Sequence, residues 1–311
     1  MPASSLTAAA GIPTPTAAAA SFFTSKTLAN PHAHDARALL LTSLAMVTYA
    51  EGVKVLAARK VCASTTARKL MHVGCGPIFL LCWPLFSPSP SASSFAVVAP
   101  LALTSFFTLV GLGLVQNQAT VQSMSRTGAR RELLRGPFLY GSVIVVATLV
   151  YWRRLTAALC ISCLCAGDGF ADLIGRRFAP LSSPKLRSDD ASYKKIRESE
   201  PQQRRGRIPW CPSKSWVGTL GFIGASALTS SCLAAYFQYH GWITVGGGGK
   251  EGGREGGGMT RRVVWERVWG STLLSAAAET LPVPEGWDNV LVFLAALLAD
   301  WLVTRGRGVG L

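Results

Sequence analysis

Residues 155–178 read LTAALCISCLCAGDGFADLIGRRF, an apolar run that ends in two acids, several glycines and two arginines. A run of this length and composition is typical of a helix that crosses a bilayer and reaches an aqueous face at its charged end. Asp168 and Asp172 are four residues apart, so both carboxylates lie on one face of such a helix. We therefore expect a membrane helix that brings a pair of carboxylates to one membrane surface.

The rest of the 311-residue chain repeats this alternation of apolar blocks and charged links. Charged residues make up 15% of the chain and hydrophobic residues 49%, a balance that argues against a mainly disordered chain and against a soluble globular enzyme. The apolar blocks cover residues 38–58, 72–86, 95–116, 137–152, 155–175, 217–243, 263–281 and 289–303. The sequence predicts an all-α polytopic membrane protein with about seven or eight transmembrane helices.

Basic residues are concentrated in the links between the apolar blocks, and the formal net charge of the chain is +15. Basic links lie at 54–69, 126–135 and 176–215, the last with eleven basic and four acidic residues. If each block crosses the membrane once, all three links lie on one side, which the positive-inside bias assigns to the cytoplasm or stroma. This distribution predicts contact with membrane lipid and no nucleic-acid partner.

Three segments differ in composition from the apolar blocks. Residues 1–36 are rich in Ala, Ser, Thr and Pro and carry no acidic residue before Asp35, which is the composition of a transit peptide, with a disordered tail as the alternative. Residues 182–207 are nearly free of apolar side chains and residues 246–258 contain nine glycines, so both are predicted to be flexible inserts. Residues 37–311 are predicted to form one polytopic domain.

The acids and arginines of residues 165–178 are the residue types of a metal–triphosphate site. Mg²⁺ takes oxygen ligands from one or two carboxylates and keeps phosphate oxygens as further ligands, so Asp168 and Asp172 are the candidate metal ligands. Arg176 and Arg177 follow at once and supply fixed cations for phosphate oxygens. A helix end whose charges only mark the membrane surface is the alternative.

Two further polar segments face the same side of the membrane by this topology. The first is PWCPSKSWVGT (209–219), which lacks the glycine that a Walker A motif places before its lysine but precedes a helix, where anions bind readily. The second is AAAETLPVPEGWDN (276–289), which links two apolar blocks. Their candidate site residues are Lys214, Ser215, Glu279, Asp288 and Asn289.

Five segments, in order along the chain, carry recognisable motifs. They are RKLMHVGCG (68–76), SMSRTGARRELLRGPFLY (123–140), CAGDGFADLIGRRF (165–178), KSWVGT (214–219) and ETLPVPEGWDN (279–289). Together they resemble the phytol kinase and farnesol kinase branch of the polyprenol kinases, which is related to dolichol kinase. Each motif is modest in specificity, but five motifs in order make a strong resemblance.

The resemblance implies a multi-spanning kinase that phosphorylates the hydroxyl group of an isoprenoid alcohol. Its phosphoryl donor is expected to be CTP or another nucleoside triphosphate. A plastid member of this branch phosphorylates phytol in a chloroplast membrane and feeds tocopherol synthesis. The alternatives are a farnesol, geranylgeraniol or dolichol kinase, a location in the endoplasmic reticulum membrane, a CDP-diacylglycerol synthase-like cytidylyltransferase, and a transporter or scaffold.

The resemblance also suggests a role for each candidate residue. Asp168 and Asp172 would hold Mg²⁺, and Asp288 or Glu279 would orient or deprotonate the substrate hydroxyl. The residues expected to bind phosphate or nucleotide are Arg176, Arg177, Lys214, Ser215, Asn289 and His72. For His72 a structural role at a helix end is an equal alternative. The chain departs from the family pattern by Ala179, where a glycine is usual, and by the 182–207 insert.

Overall fold

The computed structural model describes residues 30–62, 64–125, 128–178, 206–243, 259–284 and 286–307. These residues form a helical bundle with one short hairpin. The helices are α1 (Pro31–Ala58), α2 (Ser64–Leu81), α3 (Ala92–Ala96), α4 (Val98–Leu112), α5 (Gln118–Met124), α6 (Gly136–Val150), α7 (Leu155–Ser162), α8 (Asp168–Phe178), α9 (Trp216–Tyr239), α10 (Arg261–Glu279) and α11 (Trp287–Gly306). Shorter elements are 3₁₀ turns at Trp83–Leu85 and Arg130–Leu134, a π turn at Cys163–Gly167, and strands β1 (Arg207–Ile208) and β2 (Cys211–Ser215).

The predicted transit peptide and flexible inserts fall mostly outside these described residues. Residues 1–29, 179–205 and 244–258 are not described, so these three predictions stay predictions. At its C-terminal end the 182–207 segment enters β1, because Arg207 pairs with Ser215 of β2.

Six helical stretches among the described residues are long and apolar enough to cross a membrane. They are Pro31–Ala58, Ala92–Leu112, Arg130–Val150, Leu155–Phe178, Trp216–Tyr239 and Trp287–Gly306. The prediction of an all-α polytopic membrane protein is therefore confirmed. The two other predicted blocks, 72–86 and 263–281, lie largely in α2 and α10, where polar and charged side chains lower the hydropathy. By length and hydropathy, the described residues therefore contain six candidate membrane spans, whereas the sequence predicts seven or eight.

Successive long helices run in opposite directions, and this brings distant charged residues to one end of the bundle. At that end Lys69 of α2 contacts Asp168 of α8, and Lys214 of β2 contacts Glu279 of α10. We call this the carboxylate end. It gathers the starts of α2, α6, α9 and α11, so the described flanks of the three basic links lie at one end of the bundle.

Different contacts connect the helices at the opposite end. The Asp35 side chain of α1 is fully buried and accepts hydrogen bonds from the backbone N–H of Ser87, at 2.6 Å, and from its hydroxyl, at 2.9 Å. Arg153, in the link between α6 and α7, donates to the carbonyl of Phe86 at 2.6 Å. These bonds satisfy buried backbone and carboxylate groups that would otherwise be costly in an apolar interior.

The stretch from α7 through α8 is the central element of the bundle, since 72% of its apolar window is buried. Two glycines let neighbouring helices approach it closely. A Cβ atom on Gly169 would lie 2.1 Å from the side chain of Val73 in α2, and one on Gly218 would lie 2.8 Å from the carbonyl oxygen of Ala171. These contacts hold α8 between α2 and α9, which is how its carboxylates come to face α2.

A buried ion pair joins α7, α10 and α11 away from the carboxylate end. Arg267 is 3% exposed and binds both oxygens of the fully buried Asp300, at 2.6 and 2.8 Å. Thr156 donates to the same carboxylate at 2.7 Å. This bidentate geometry with an additional donor is what a buried charge pair needs to offset its desolvation.

Candidate active site

The first group of functional side chains surrounds Asp168 and spans two helices. The ammonium Nζ of Lys69 lies 3.2 Å from Oδ2 of Asp168 and 3.3 Å from Oδ2 of Asp172. Nε2 of His72 lies 3.1 Å from the same Asp168 oxygen. We call these four residues the Asp168 cluster. The two carboxylates thus converge on one cation, as their spacing on a helix predicts.

A π turn at Cys163–Gly167 sets the direction in which Asp168 leaves the central helix. The backbone N–H of Asp168 donates to the carbonyls of Cys163 and Cys165, and the carbonyl oxygen of Leu164 lies 3.1 Å from Nε2 of His72. Single π turns inside α-helices occur frequently at functional sites. Here the turn places a backbone acceptor and a carboxylate on the same side of His72.

Tyr140 supports His72 through both its ring and its hydroxyl group. Its ring lies 4.2 Å from the imidazole, measured between centroids, and its hydroxyl donates to the backbone carbonyl of His72 at 3.0 Å. The same hydroxyl lies 3.1 Å from Sγ of Cys165. Tyr140 therefore links α6 to α2 and to the π turn, and it fixes the part of α2 that carries His72 and Lys69.

The two carboxylates differ in their access to solvent. The side chain of Asp168 is 13% exposed and that of Asp172 is 32% exposed. Arg176, one turn further along α8, forms an ion pair with Asp172, and Arg177 is exposed. Asp168 is thus the inner carboxylate, and the arginines are the outer cations on the side from which a charged ligand would approach.

Lys214 and Glu279 form a second cation–carboxylate pair, with Nζ of Lys214 2.9 Å from Oε1 of Glu279. The β1–β2 hairpin, which sequence reasoning missed, places Lys214 there. Burial raises the pKa of the Glu279 carboxyl, Lys214 lowers it in part, and the nearby Asp168 and Asp288 raise it further. The Lys214 pair and the Asp168 cluster are therefore electrostatically coupled.

The remaining predicted residues lie beside these two groups. Ser215 caps α9, because its Oγ accepts a hydrogen bond from the backbone N–H of Gly218 at 3.1 Å, and it is 6% exposed. Asp288 lies in the first turn of α11, where its Oδ1 accepts from the backbone N–H of Asn289 at 3.0 Å. Phosphate binding by Ser215 and Asn289 stays a prediction.

A cavity of about 690 Å³ opens directly beside the Asp168 cluster. Its polar end is lined by Lys69, His72, Asp168, Asp288 and Asn289. From there it runs between α1, α2, α4 and α6, and its lining on α1 extends from Lys54 to Leu39, which is about 22 Å of helix. Most of this length is apolar, with side chains such as Met46, Phe79, Leu103, Phe107 and Ile144.

The Asp168 cluster fits a magnesium ion that arrives with phosphate ligands. No group of three or more His, Cys, Asp or Glu side chains among residues the structure describes forms a metal site. Asp168 and Asp172 nevertheless place one oxygen each within 3.3 Å of a single cationic nitrogen, so they can share one cation. Carboxylates completed by phosphate oxygens and water are the usual environment of Mg²⁺.

Sequence reasoning missed Lys69 and Tyr140 as site residues. Lys69 belongs to a basic link and to the RKLMHVGCG segment (68–76), and its spacing of three from His72 places both on one helix face. That spacing is the signal that could have identified Lys69. For Tyr140 there is no comparable local signal, because its contacts with His72 and Cys165 join segments far apart in the chain.

Comparison with known proteins places this geometry in a family. The chain is 31% identical over 304 residues to a probable chloroplastic phytol kinase of Triticum aestivum, a match that covers 96% of this chain and 87% of that protein. It is 33% identical to a chloroplastic farnesol kinase of Arabidopsis thaliana, covering 76% of this chain and 64% of that protein. The chain belongs to the phytol kinase and farnesol kinase family. It is 35% identical to the probable chloroplastic phytol kinase 2 of Oryza sativa subsp. japonica, a match that covers 68% of this chain and 62% of that protein.

No family model and no solved structure matches this member of the phytol kinase and farnesol kinase family. Membership confirms the prediction of a phosphotransferase whose acceptor is an alcohol. Together with the six candidate spans, it also confirms the prediction of a multi-pass chloroplast membrane protein.

Replacing Lys69 by methionine should lower the kcat of this kinase by about a hundredfold, the usual loss when one electrostatic contact is removed from a catalytic site. Methionine keeps much of the side-chain volume but leaves Asp168 and Asp172 without their shared ammonium group. Lys60→Met is the matched control, because Lys60 follows the end of α1 at the same end of the bundle, is exposed, and does not line the cavity. Steady-state kinetics of both variants in proteoliposomes would measure the difference. Equal rates for the two variants would remove Lys69 from the site.

Proposed function

We propose that this enzyme transfers the terminal phosphoryl group of a nucleoside triphosphate to the hydroxyl group of an isoprenoid alcohol. The proposed donor is CTP, and the proposed acceptor is phytol. The observation that carries this proposal is the shape and polarity of the cavity. It is long and apolar between α1, α2, α4 and α6, and its single strongly polar end holds Asp168 and Asp288. An alcohol with one hydroxyl group and a long hydrocarbon chain has the same distribution of polarity.

The acceptor hydroxyl would lie at the polar end of the cavity. Asp288 lines that end and is one of its few carboxylates, together with Asp168 and Glu132. Because Asp168 is engaged by Lys69 and His72, Asp288 is the better candidate to accept the hydroxyl proton as the oxygen attacks the terminal phosphorus. Glu279, the alternative base, is paired with Lys214 and fits the donor side better.

The donor phosphates would lie over the Asp168 cluster, against Lys69, Lys214, Arg176 and Arg177. Phosphoryl transfer depends on positioning and charge neutralisation rather than on covalent participation of the protein, and these cations come from three separate segments, α2, β2 and α8, that the fold brings to one end. Mg²⁺, held by Asp168, Asp172 and the phosphates, would supply the remaining positive charge. The nucleoside diphosphate leaves, and the proton passes from Asp288 to water.

The product from phytol would be phytyl phosphate, and the family resemblance suggests that it feeds tocopherol synthesis. The proposal concerns the class of alcohol more than the length of its hydrocarbon chain, since farnesol and phytol both have an apolar chain with one terminal hydroxyl group. The names of the relatives include both a phytol kinase and a farnesol kinase. We place phytol first because the second motif segment, residues 123–140, resembles the phytol kinase branch.

The decisive experiment is a comparison of acceptors and donors with one membrane preparation. Membranes from a host that expresses the chain would be incubated with γ-labelled CTP, UTP or ATP and with phytol, geranylgeraniol, farnesol or dolichol. We expect labelled phytyl phosphate and unlabelled nucleoside diphosphate, with empty-vector membranes as the blank. Release of pyrophosphate with a cytidylylated lipid would instead identify a cytidylyltransferase, and label on no alcohol would overturn the proposal.

A further inference from the structure

The two long walls of the cavity differ in how deeply they are buried. On the inner side, Phe79 of α2 and Ile144 of α6 line the cavity and belong to the main hydrophobic core, at 2% and 5% exposure. On the outer side, Val47 of α1 and Leu103 of α4 line the same cavity and are 56% and 44% exposed. The inner wall is therefore fixed by the core, and the outer side is open.

Helix α1 is held mainly by α2 and α3, and it contacts α4 only slightly. Only 11% of its apolar window is buried. Its cavity-lining residues recur with helical spacing, as Leu39, Ser43, Met46, Val47, Ala50 and Lys54, so one face of α1 is turned to the cavity. Leu40 and Leu44 lie on another face and are 69% and 59% exposed, as expected for side chains that contact lipid.

We propose that the isoprenoid alcohol enters the cavity sideways from the bilayer, through the gap between α1 and α4, with its hydroxyl group leading toward Asp168 and Asp288. This inference rests on the proposed function and adds the route of the substrate and the residues that line it. On the two helices that border this gap, small half-buried side chains line the cavity, Ser43 on α1 and Ala99 on α4.

The polar end of the cavity is a poor entrance for the same molecule. The charged residues that line it are Lys54, Arg68, Lys69, Arg131, Glu132, Arg135, Asp168 and Asp288. A long hydrocarbon chain that passed these groups would first have to leave the bilayer for water, which the hydrophobic effect opposes. The side gap lets the chain stay in an apolar environment throughout, and it leaves the polar end free for the nucleotide.

Tryptophan substitutions on the two helices test this route with matched controls. Ser43→Trp and Ala99→Trp place a large ring in the gap, whereas Leu44→Trp and Leu101→Trp place the same ring on exposed positions of the same helices outside this cavity. We expect the first two to lower kcat/KM for phytol by about tenfold or more and to change kcat/KM for 3-methyl-2-buten-1-ol by less than about twofold, because only the long chain needs the gap. The two controls should resemble the wild type with both alcohols.

Photochemical labelling of the wild-type protein gives a second test, which does not depend on whether the tryptophan variants fold. A farnesol analogue with a diazirine at the chain end should label peptides from α1 and α4, and excess phytol should prevent this labelling. Label confined to α8–α11 would overturn the side entrance. So would wild-type phosphorylation of phytol by all four tryptophan variants. Neither result would contradict the proposed kinase function. A wild type that phosphorylates no alcohol would overturn the proposed function itself.

Discussion

Asp168→Asn should lower kcat by at least about a hundredfold, the loss expected when an electrostatic contact to the transferring group is removed. Asparagine keeps the shape of the side chain but removes the charge that pairs with Lys69 and His72 and that would bind Mg²⁺. Because the substitution is nearly isosteric, the variant should still insert into the membrane. The measurement is turnover of reconstituted protein, normalised to the amount that elutes as a single species in detergent.

Glu266→Gln is the control for that experiment. Glu266 is a carboxylate on α10 that pairs with Arg262 and Arg307, far from the Asp168 cluster, and we expect wild-type turnover. Asp172→Asn should reduce turnover in the same direction as Asp168→Asn, because both carboxylates share the Lys69 ammonium group. Near wild-type turnover of either aspartate variant at normal expression would contradict the metal assignment.

Arg267→Leu should destabilise the folded protein by about 3–5 kcal/mol, because it leaves the fully buried Asp300 charge without a partner. Thermal unfolding in detergent would show this as a lower midpoint. The double variant Arg267→Met with Asp300→Leu should recover most of the loss, since removing both charges also removes their desolvation cost. Turnover per folded molecule should stay unchanged in both variants, because the pair lies away from the carboxylate end.

A surface ion pair on the same helix provides the comparison for Arg267. Arg262 pairs with Glu266 one turn away, and its side chain is 79% exposed. Arg262→Ala should lower the unfolding midpoint much less than Arg267→Leu, since solvent screens exposed pairs. If Arg262→Ala and Arg267→Leu lowered the unfolding midpoint equally, burial would not be the reason that the Arg267–Asp300 pair matters.

Local pattern was enough to predict the class of fold and to select part of the candidate site. Apolar blocks with basic links predict a polytopic helical protein, because the bilayer imposes the length and polarity of each span independently of its neighbours. The spacing of Asp168 and Asp172 predicts a shared face, because an α-helix repeats every 3.6 residues. Both properties are set by residues close together in the chain.

The partners of these residues required the tertiary structure. Lys69 meets Asp168 across 99 residues of sequence, and Tyr140 meets the backbone of His72 across 68. The π turn that directs Asp168, and the Arg267–Asp300 pair, likewise depend on which helix faces come together. A cavity is the space left between four helices, so no single segment contains it. Periodicity shows which face of a helix is apolar, but only the packing of whole helices decides which other face it meets.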